Sequence, residues 1–126
     1  MMITKEFAED FTAEWIAAWN SHDMNRIMAH YADDFTIDSP TALAVVPESG
    51  GFIAGKENIR SYWLTALNKA PDLAFELLGL FVGMRGVSLH FINTSTNKTV
   101  VEVMNFNKDL KVAQVLVYHN NSVSTK

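Results

Sequence analysis

The stretch GVSLHFINTSTNKTVVEVMNF, Gly86–Phe106, reads as two strands joined by a turn. β-Branched and apolar residues run through both halves, and Ser95-Thr96-Asn97 between them has turn chemistry. Strands joined by so short a turn must pair antiparallel. Alternation then sorts the side chains onto two faces. Val87, Leu89 and Phe91 share one face with Val100, Glu102 and Met104; Ser88 and His90 share the other with Val101, Val103 and Asn105. The first set is the more apolar and is expected to face the core. Glu102, the only charge in Thr99–Phe106, falls on that face. A carboxylate there must be paired, be neutral or open onto a pocket.

Working outward, Asn107-Lys108-Asp109 marks a second turn into a strand at about 110–119. Parity leaves open which face of that strand, Val112/Gln114/Leu116 or Val115/Val117/His119, points inward. A further strand is expected at about 73–83, before the Gly83–Gly86 junction. Upstream the period changes. Ile3, Phe7, Phe11, Trp15 and Trp19 recur every four residues, which predicts an amphipathic helix with Thr4 as its N-cap. Asp23 can cap a second helix with Met24, Ile27, Met28 and Tyr31 on its apolar face. Ala32-Asp33-Asp34 reads as a turn into a short strand, Phe35–Ser39, closed by Pro40. Residues 41–55 read as a long Pro- and Gly-containing connection, either a lid over a pocket mouth or a surface loop. Lys56–Lys69 is a third helix carrying Ile59, Tyr62, Trp63, Ala66 and Leu67 on one face. Helices first and consecutive antiparallel strands afterwards make an α+β order, in a single domain spanning 1–126. The polar tail 120–126 adds no element.

Composition excludes several classes. The chain has 126 residues, 48% of them hydrophobic, enough for one sizeable core. Ten Lys and Arg against fourteen Asp and Glu give a net charge of −4 and no basic patch, so neither nucleic acid nor an anionic membrane surface is an expected partner. The absence of cysteine removes disulfides, thiolate nucleophiles and Cys-ligated metals. Four scattered histidines without paired spacing argue against a metal site, and no cofactor is expected. The N-terminus has acids where a signal peptide needs an apolar run, so a cytoplasmic protein is expected.

The expected inner surface combines Trp and Tyr from the helices with one acid from the sheet. An apolar pocket with few convergent polar groups is the usual form of a small-molecule site. The candidate ligand-binding residues are Trp15, Trp19, Ser39, Tyr62, Trp63, Leu89, Phe91, Val100, Met104 and Val117. Glu102 is the candidate catalytic acid or base, and His119 is its counterpart because imidazole titrates near neutrality. A non-catalytic binding pocket, and an aromatic core with Glu102 paired to a Trp N–H or to His119, are the alternatives. The outer sheet set is half apolar, and a second copy of the chain is the simplest cover for it.

Glu14–Pro40, EWIAAWNSHDMNRIMAHYADDFTIDSP, resembles the opening of the nuclear-transport-factor-2-like superfamily, in particular its SnoaL-like proteins. The likeness continues in Gly55-Lys56-Glu57-Asn58-Ile59 and in Val103-Met104-Asn105-Phe106, and it covers nearly the whole chain. It implies a cone-shaped, cystatin-like fold: three N-terminal helices packed in a strongly curved mixed or antiparallel sheet around a pocket, usually in a homodimer. Members include ketosteroid isomerase, polyketide cyclases, limonene epoxide hydrolase, dehydratases and non-catalytic domains, so fold alone gives no reaction. Sliding the isomerase pattern onto Tyr31–Pro40 puts its general-base Asp on Ser39, its oxyanion-hole Tyr on Trp15 and its oxyanion-hole Asp on Glu102. Its supporting third-helix Tyr falls on Trp63 and an aromatic pocket position on His119. A serine cannot abstract a proton from carbon as a carboxylate can, so steroid-type isomerisation is not expected. The resemblance implies a small-molecule-pocket protein, an acid–base isomerase, cyclase, dehydratase or hydrolase for a small apolar carbonyl-type or polyketide-like substrate. The alternative is a non-catalytic ligand-binding or homodimeric assembly domain.

Overall fold

The computed structural model describes residues 2–120, so of the polar tail only Asn120 is included. The described elements run α1 (Lys5–Ser21), α2 (Met24–Met28), β1 (Tyr31–Asp38), α3 (Pro40–Val45), a 3-10 turn (Pro47–Ser49), β2 (Phe52–Ala54), α4 (Lys56–Lys69), β3 (Phe75–Val82), β4 (Gly86–Asn93), β5 (Lys98–Phe106) and β6 (Val112–His119). One six-stranded mixed sheet has the order β2-β1-β6-β5-β4-β3. All pairings are antiparallel except β1 with β6, which is parallel. The α+β class expected from the sequence is the one observed.

Local chemistry explains the helix ends. The Thr4 hydroxyl accepts from Phe7 N at 3.0 Å and starts α1. His22 ends it in the left-handed region, at φ 60°. The same His22 donates from Nε2 to Leu73 O at 2.7 Å. Asn20 closes a two-bond clamp on Phe75, donating to its carbonyl at 3.0 Å and accepting from its N–H at 2.7 Å. The C-terminus of α1 is thereby fixed to the start of β3. Asp23 caps α2 through Arg26 N at 3.2 Å.

The central hairpin has the register read from sequence: Leu89 faces Glu102, Phe91 faces Val100, and Val87 faces Met104. These six are the inner set, under the helices. In β6 the inward residues are Val115, Val117 and His119, opposite Met104, Glu102 and Val100. Bulges in β1, in β3 between Leu77 and Gly79, and between Asn105 and Phe106 of β5 bend the sheet around the helices.

Two stretches differ from the sequence reading. Tyr31 is not on α2, which stops at Met28; it opens β1 opposite Val112. Lys111 Nζ donates to Ala29 O and Lys56 Nζ to Tyr31 O, both at 2.9 Å, which satisfies carbonyls that a longer helix would have used. Ala32-Asp33-Asp34 is correspondingly a bulged part of the strand, with both acids exposed, rather than a turn. Residues 41–55 are not an open connection. Ser39 caps α3 by accepting from Thr41 N at 3.1 Å, Pro40 takes the first helical position, and β2 pairs with β1 at the sheet edge.

Candidate functional site

β5 divides the interior. At one end Phe106 meets Phe7 at 5.2 Å and Phe11 at 4.9 Å between ring centroids, edge to face, and the space is filled. Leu89 and Met104 are fully buried in the core and do not line a cavity. Toward the other end the helices stand off from the sheet and leave a cavity of about 330 Å³. Its wall is built from α1 (Trp19), β1 (Ile37, Ser39), α4 (Tyr62, Trp63, Leu67), β3 (Phe75), β4 (Phe91, Asn93), β5 (Lys98, Val100, Glu102) and β6 (Val117, His119), with Thr41 and Thr96 among the remaining lining residues.

Eight of the twelve sequence candidates for the pocket therefore sit together beside Glu102: Trp19, Ser39, Tyr62, Trp63, Phe91, Val100, Val117 and His119. Trp15, Leu89 and Met104 are corrected to core positions. Trp15 is 1% exposed, lies 5.3 Å from Phe91 and 5.7 Å from Phe75, and donates from Nε1 to Tyr31 Oη at 2.9 Å. It supports the cavity wall from behind. Sequence reading missed Ile37, Phe75 and Lys98. Lys98 is legible in the sequence, because it precedes Val100 and Glu102 in the same alternation.

Glu102 is 8% exposed. Burial pushes its carboxyl up to about 8, and no hydrogen bond or opposite charge acts to lower it. At neutral pH the side chain is an acid, able to donate through O–H. Burial also raises Tyr62, to about 12, against the opposing Ser39 hydroxyl. The Tyr31 phenol is raised by burial first and by Glu102 second, while the Trp15 and Trp19 indoles oppose the shift. Trp19 Nε1 is close to that phenol without hydrogen-bond geometry and is buried with no partner among the described residues. Glu102 is thus a desolvated donor left unused on the cavity wall, while Trp19 Nε1 is closed off beside the Tyr31 phenol.

His119 is not joined to Glu102. It lies across from Val100, while Glu102 lies across from Val117, so the two side chains are diagonal on neighbouring strands. His119 Nε2 instead faces Thr41 Oγ1 at 3.5 Å. Partial burial of the ring, and secondarily the Lys98 ammonium, hold its pKa below the usual histidine value. Asp38 pairs in register with Leu116 on the outer face and is exposed, so it supplies no carboxylate to the cavity. Among the described residues no three His, Asp or Glu side chains are placed to hold a metal ion, and no helix is long and apolar enough to cross a membrane.

Helices held inside a bent mixed sheet, closed at one end and open to a cavity at the other, define a cone-shaped NTF2-like protein. The chain belongs to the SnoaL-like domain family, whose model matches residues 12–115. It is similar to a SnoaL-like protein of unknown function from Burkholderia thailandensis E264, with 36% identity, a TM-score of 0.90, and coverage of 96% of this chain and 100% of that one. An NTF2-like protein of unknown function from Burkholderia xenovorans LB400 shares the fold at 18% identity and a TM-score of 0.73, over 97% of this chain and 89% of that one. So does AclR of Streptomyces galilaeus, provisionally assigned as a hydroxylase, at 19% identity and a TM-score of 0.70, over 93% and 91%. No curated protein matches the chain.

Proposed function

We propose that this chain is a cytoplasmic small-molecule-pocket protein in which Glu102, protonated at neutral pH, acts as an acid on a small apolar carbonyl-type or polyketide-like ligand. The observation that carries this reading is one carboxyl, buried without a partner, opening onto an otherwise largely apolar cavity. A neutral acid there can donate to a ligand carbonyl and stabilise charge developing on its oxygen. Once ionised it can take a proton within reach. His119 serves as a second acid–base group only for a ligand long enough to reach both, since the two side chains do not touch. Ser39 is engaged in capping α3, which argues against a proton-abstracting role at that position. A library of small ketones, enones, epoxides and aromatic polyketide fragments, screened by native mass spectrometry and thermal shift, tests the reading. Binders are expected among the carbonyl compounds, with affinity lost in Glu102→Leu. Absence of any binder, or binders indifferent to that substitution, refutes it. Turnover of a binder separates an enzyme from a binding module.

The same reading includes a homodimer through the outer sheet face. Ser88, His90, Val101, Val103 and Asn105 are only half-buried there, and Tyr118 beside Val101 is 57% exposed. Val101→Lys with Val103→Lys is expected to turn a dimer into a monomer in light scattering. A wild-type monomer at micromolar concentration removes the proposal.

A further inference from the structure

The polar groups of the cavity are sorted by depth. At its buried end stands Glu102, 8% exposed and without a hydrogen-bond partner. A protonated carboxyl has an O–H to give. That end therefore matches an acceptor, a carbonyl or ether oxygen, and not a cation. Between it and the mouth the wall carries Phe91, Val100, Val117, Trp63 and Phe75, with Ser39, Tyr62, Thr41 and His119 as its further polar groups.

The mouth is different. Lys98 is exposed there, and no carboxylate among the described residues lies within ion-pair distance of it. Its charge reaches into the site, because it lowers the pKa of His119. Glu102 is the only Asp or Glu in the lining, so with Glu102 protonated the cavity carries a net positive charge in a chain whose net charge is −4. Lys98, Val100 and Glu102 are successive inward positions of one strand, and at ~3.3 Å per residue the Cα atoms of the two ends lie about 13 Å apart.

We infer that the ligand of this site is an anionic amphipath: an apolar body with a hydrogen-bond acceptor at the Glu102 end and a carboxylate at the Lys98 end. This rests on reading the cavity as a ligand pocket and adds to it the ligand's charge and polarity. A neutral ligand would leave Lys98 unused, and a cationic one would meet it at the entrance.

The test uses three matched probes: 6-oxo-6-phenylhexanoic acid, its methyl ester, and 6-phenylhexanoic acid, which lacks the ketone. Calorimetry at low salt and pH 7 is expected to show the keto acid binding about fivefold more tightly than its ester, as an exposed charge pair gives. That gap should close in Lys98→Gln and in 0.5 M NaCl. Removing the ketone should cost about tenfold, the size of one hydrogen bond. Lys98 is exposed at a hairpin end, so the variant keeps the fold. If the ester binds as well as the acid and Lys98→Gln changes neither, the anionic inference is overturned while the pocket reading stands. If the acid lacking the ketone matches the keto acid, the acceptor end is wrong. If neither acid nor ester binds, the pocket reading falls and takes this inference with it.

Discussion

Glu14 and Glu102 are the same side chain in two regions of the molecule, and their environments push them in opposite directions. Glu14 lies on the outer surface of α1, gripped by Arg26 through two hydrogen bonds of 2.8 Å, and the Arg26 hydrogen bonds hold its carboxyl down to about 2. Glu102 faces the cavity with no partner, and burial raises it to about 8. A large shift alone therefore does not mark a site. Glu14 is shifted because its charge is satisfied, and solvent can replace much of what Arg26 supplies. Glu102 is shifted because its charge is not satisfied, and within the described residues nothing can replace the missing partner. A titratable group left buried and unpartnered beside a cavity is a candidate for a functional site.

The largest effect that would break this contrast is expected at Glu102 itself. Unfolded, the carboxyl ionises near 4.5; folded, it holds its proton to about 8. The folded state therefore binds more protons between those values, and this group's contribution to stability falls as pH rises through that window. Glu102→Gln keeps the shape and removes the titration. The two proteins should differ by a constant amount below pH 4.5, and the wild type should fall behind progressively to about pH 8, where the relative loss approaches ~4 to 5 kcal/mol from the two values. Glu102→Leu should be at least as stable as the Gln variant at pH 8 and should no longer bind a carbonyl ligand. Urea denaturation from pH 5 to 9 measures both variants. Parallel pH profiles for wild type and Gln would show that Glu102 is not a buried unpaired acid.

A smaller effect sharpens the cause. Val117 is directly across from Glu102 on β6 and lines the same cavity. Val117→Gln brings an amide donor within reach of the carboxyl. Hydrogen bonding to the charged form should lower the Glu102 pKa by about one unit. A carboxyl-carbon NMR titration reads this directly. A pKa that stays at its wild-type value would mean that the lack of a donor is not what holds the proton on.

Much of this arrangement was legible in the sequence, because it depends on alternation and short turns. The hairpin register around Glu102, the long helices α1 and α4 and the aromatic wall follow from periods of two and four. The depth of each residue did not. Trp15, Leu89 and Met104 share faces with true cavity residues, and only the position of α1 along the sheet decides that they are covered. Ser39-Pro40 carries two signals at once, the close of a strand and the start of a helix, and the structure uses both. The parallel pairing of β1 with β6 joins segments about 80 positions apart and leaves no local pattern to read. The chemistry of His119 suits a partner to Glu102, but chemistry alone does not fix position. The diagonal register separates them.

The smallest expected effect tests the other half of the comparison. Glu14→Gln removes a carboxylate that accepts both Arg26 hydrogen bonds and stands 3.6 Å from His30 Nε2. Its folded pKa lies below the unfolded value, so its stabilisation is present above pH 4.5 and is lost as pH falls through about 2. This is the reverse of Glu102. The size of the shift overstates its worth, because both side chains of the pair are 41% exposed. An exposed pair contributes about 0–1 kcal/mol, so Glu14→Gln should cost less than ~1 kcal/mol at pH 7 and less again in 1 M NaCl. His30 provides an independent reading. Its ring is held below the usual histidine pKa chiefly by burial, and Glu14 opposes that shift. Removing Glu14 should therefore lower the His30 pKa further, which an imidazole-proton NMR titration detects even where the stability change is small. A loss well above 2 kcal/mol, insensitive to salt, would show that the Arg26 pair is sheltered from solvent. The two glutamates would then differ in the presence of a partner alone, and no longer in burial.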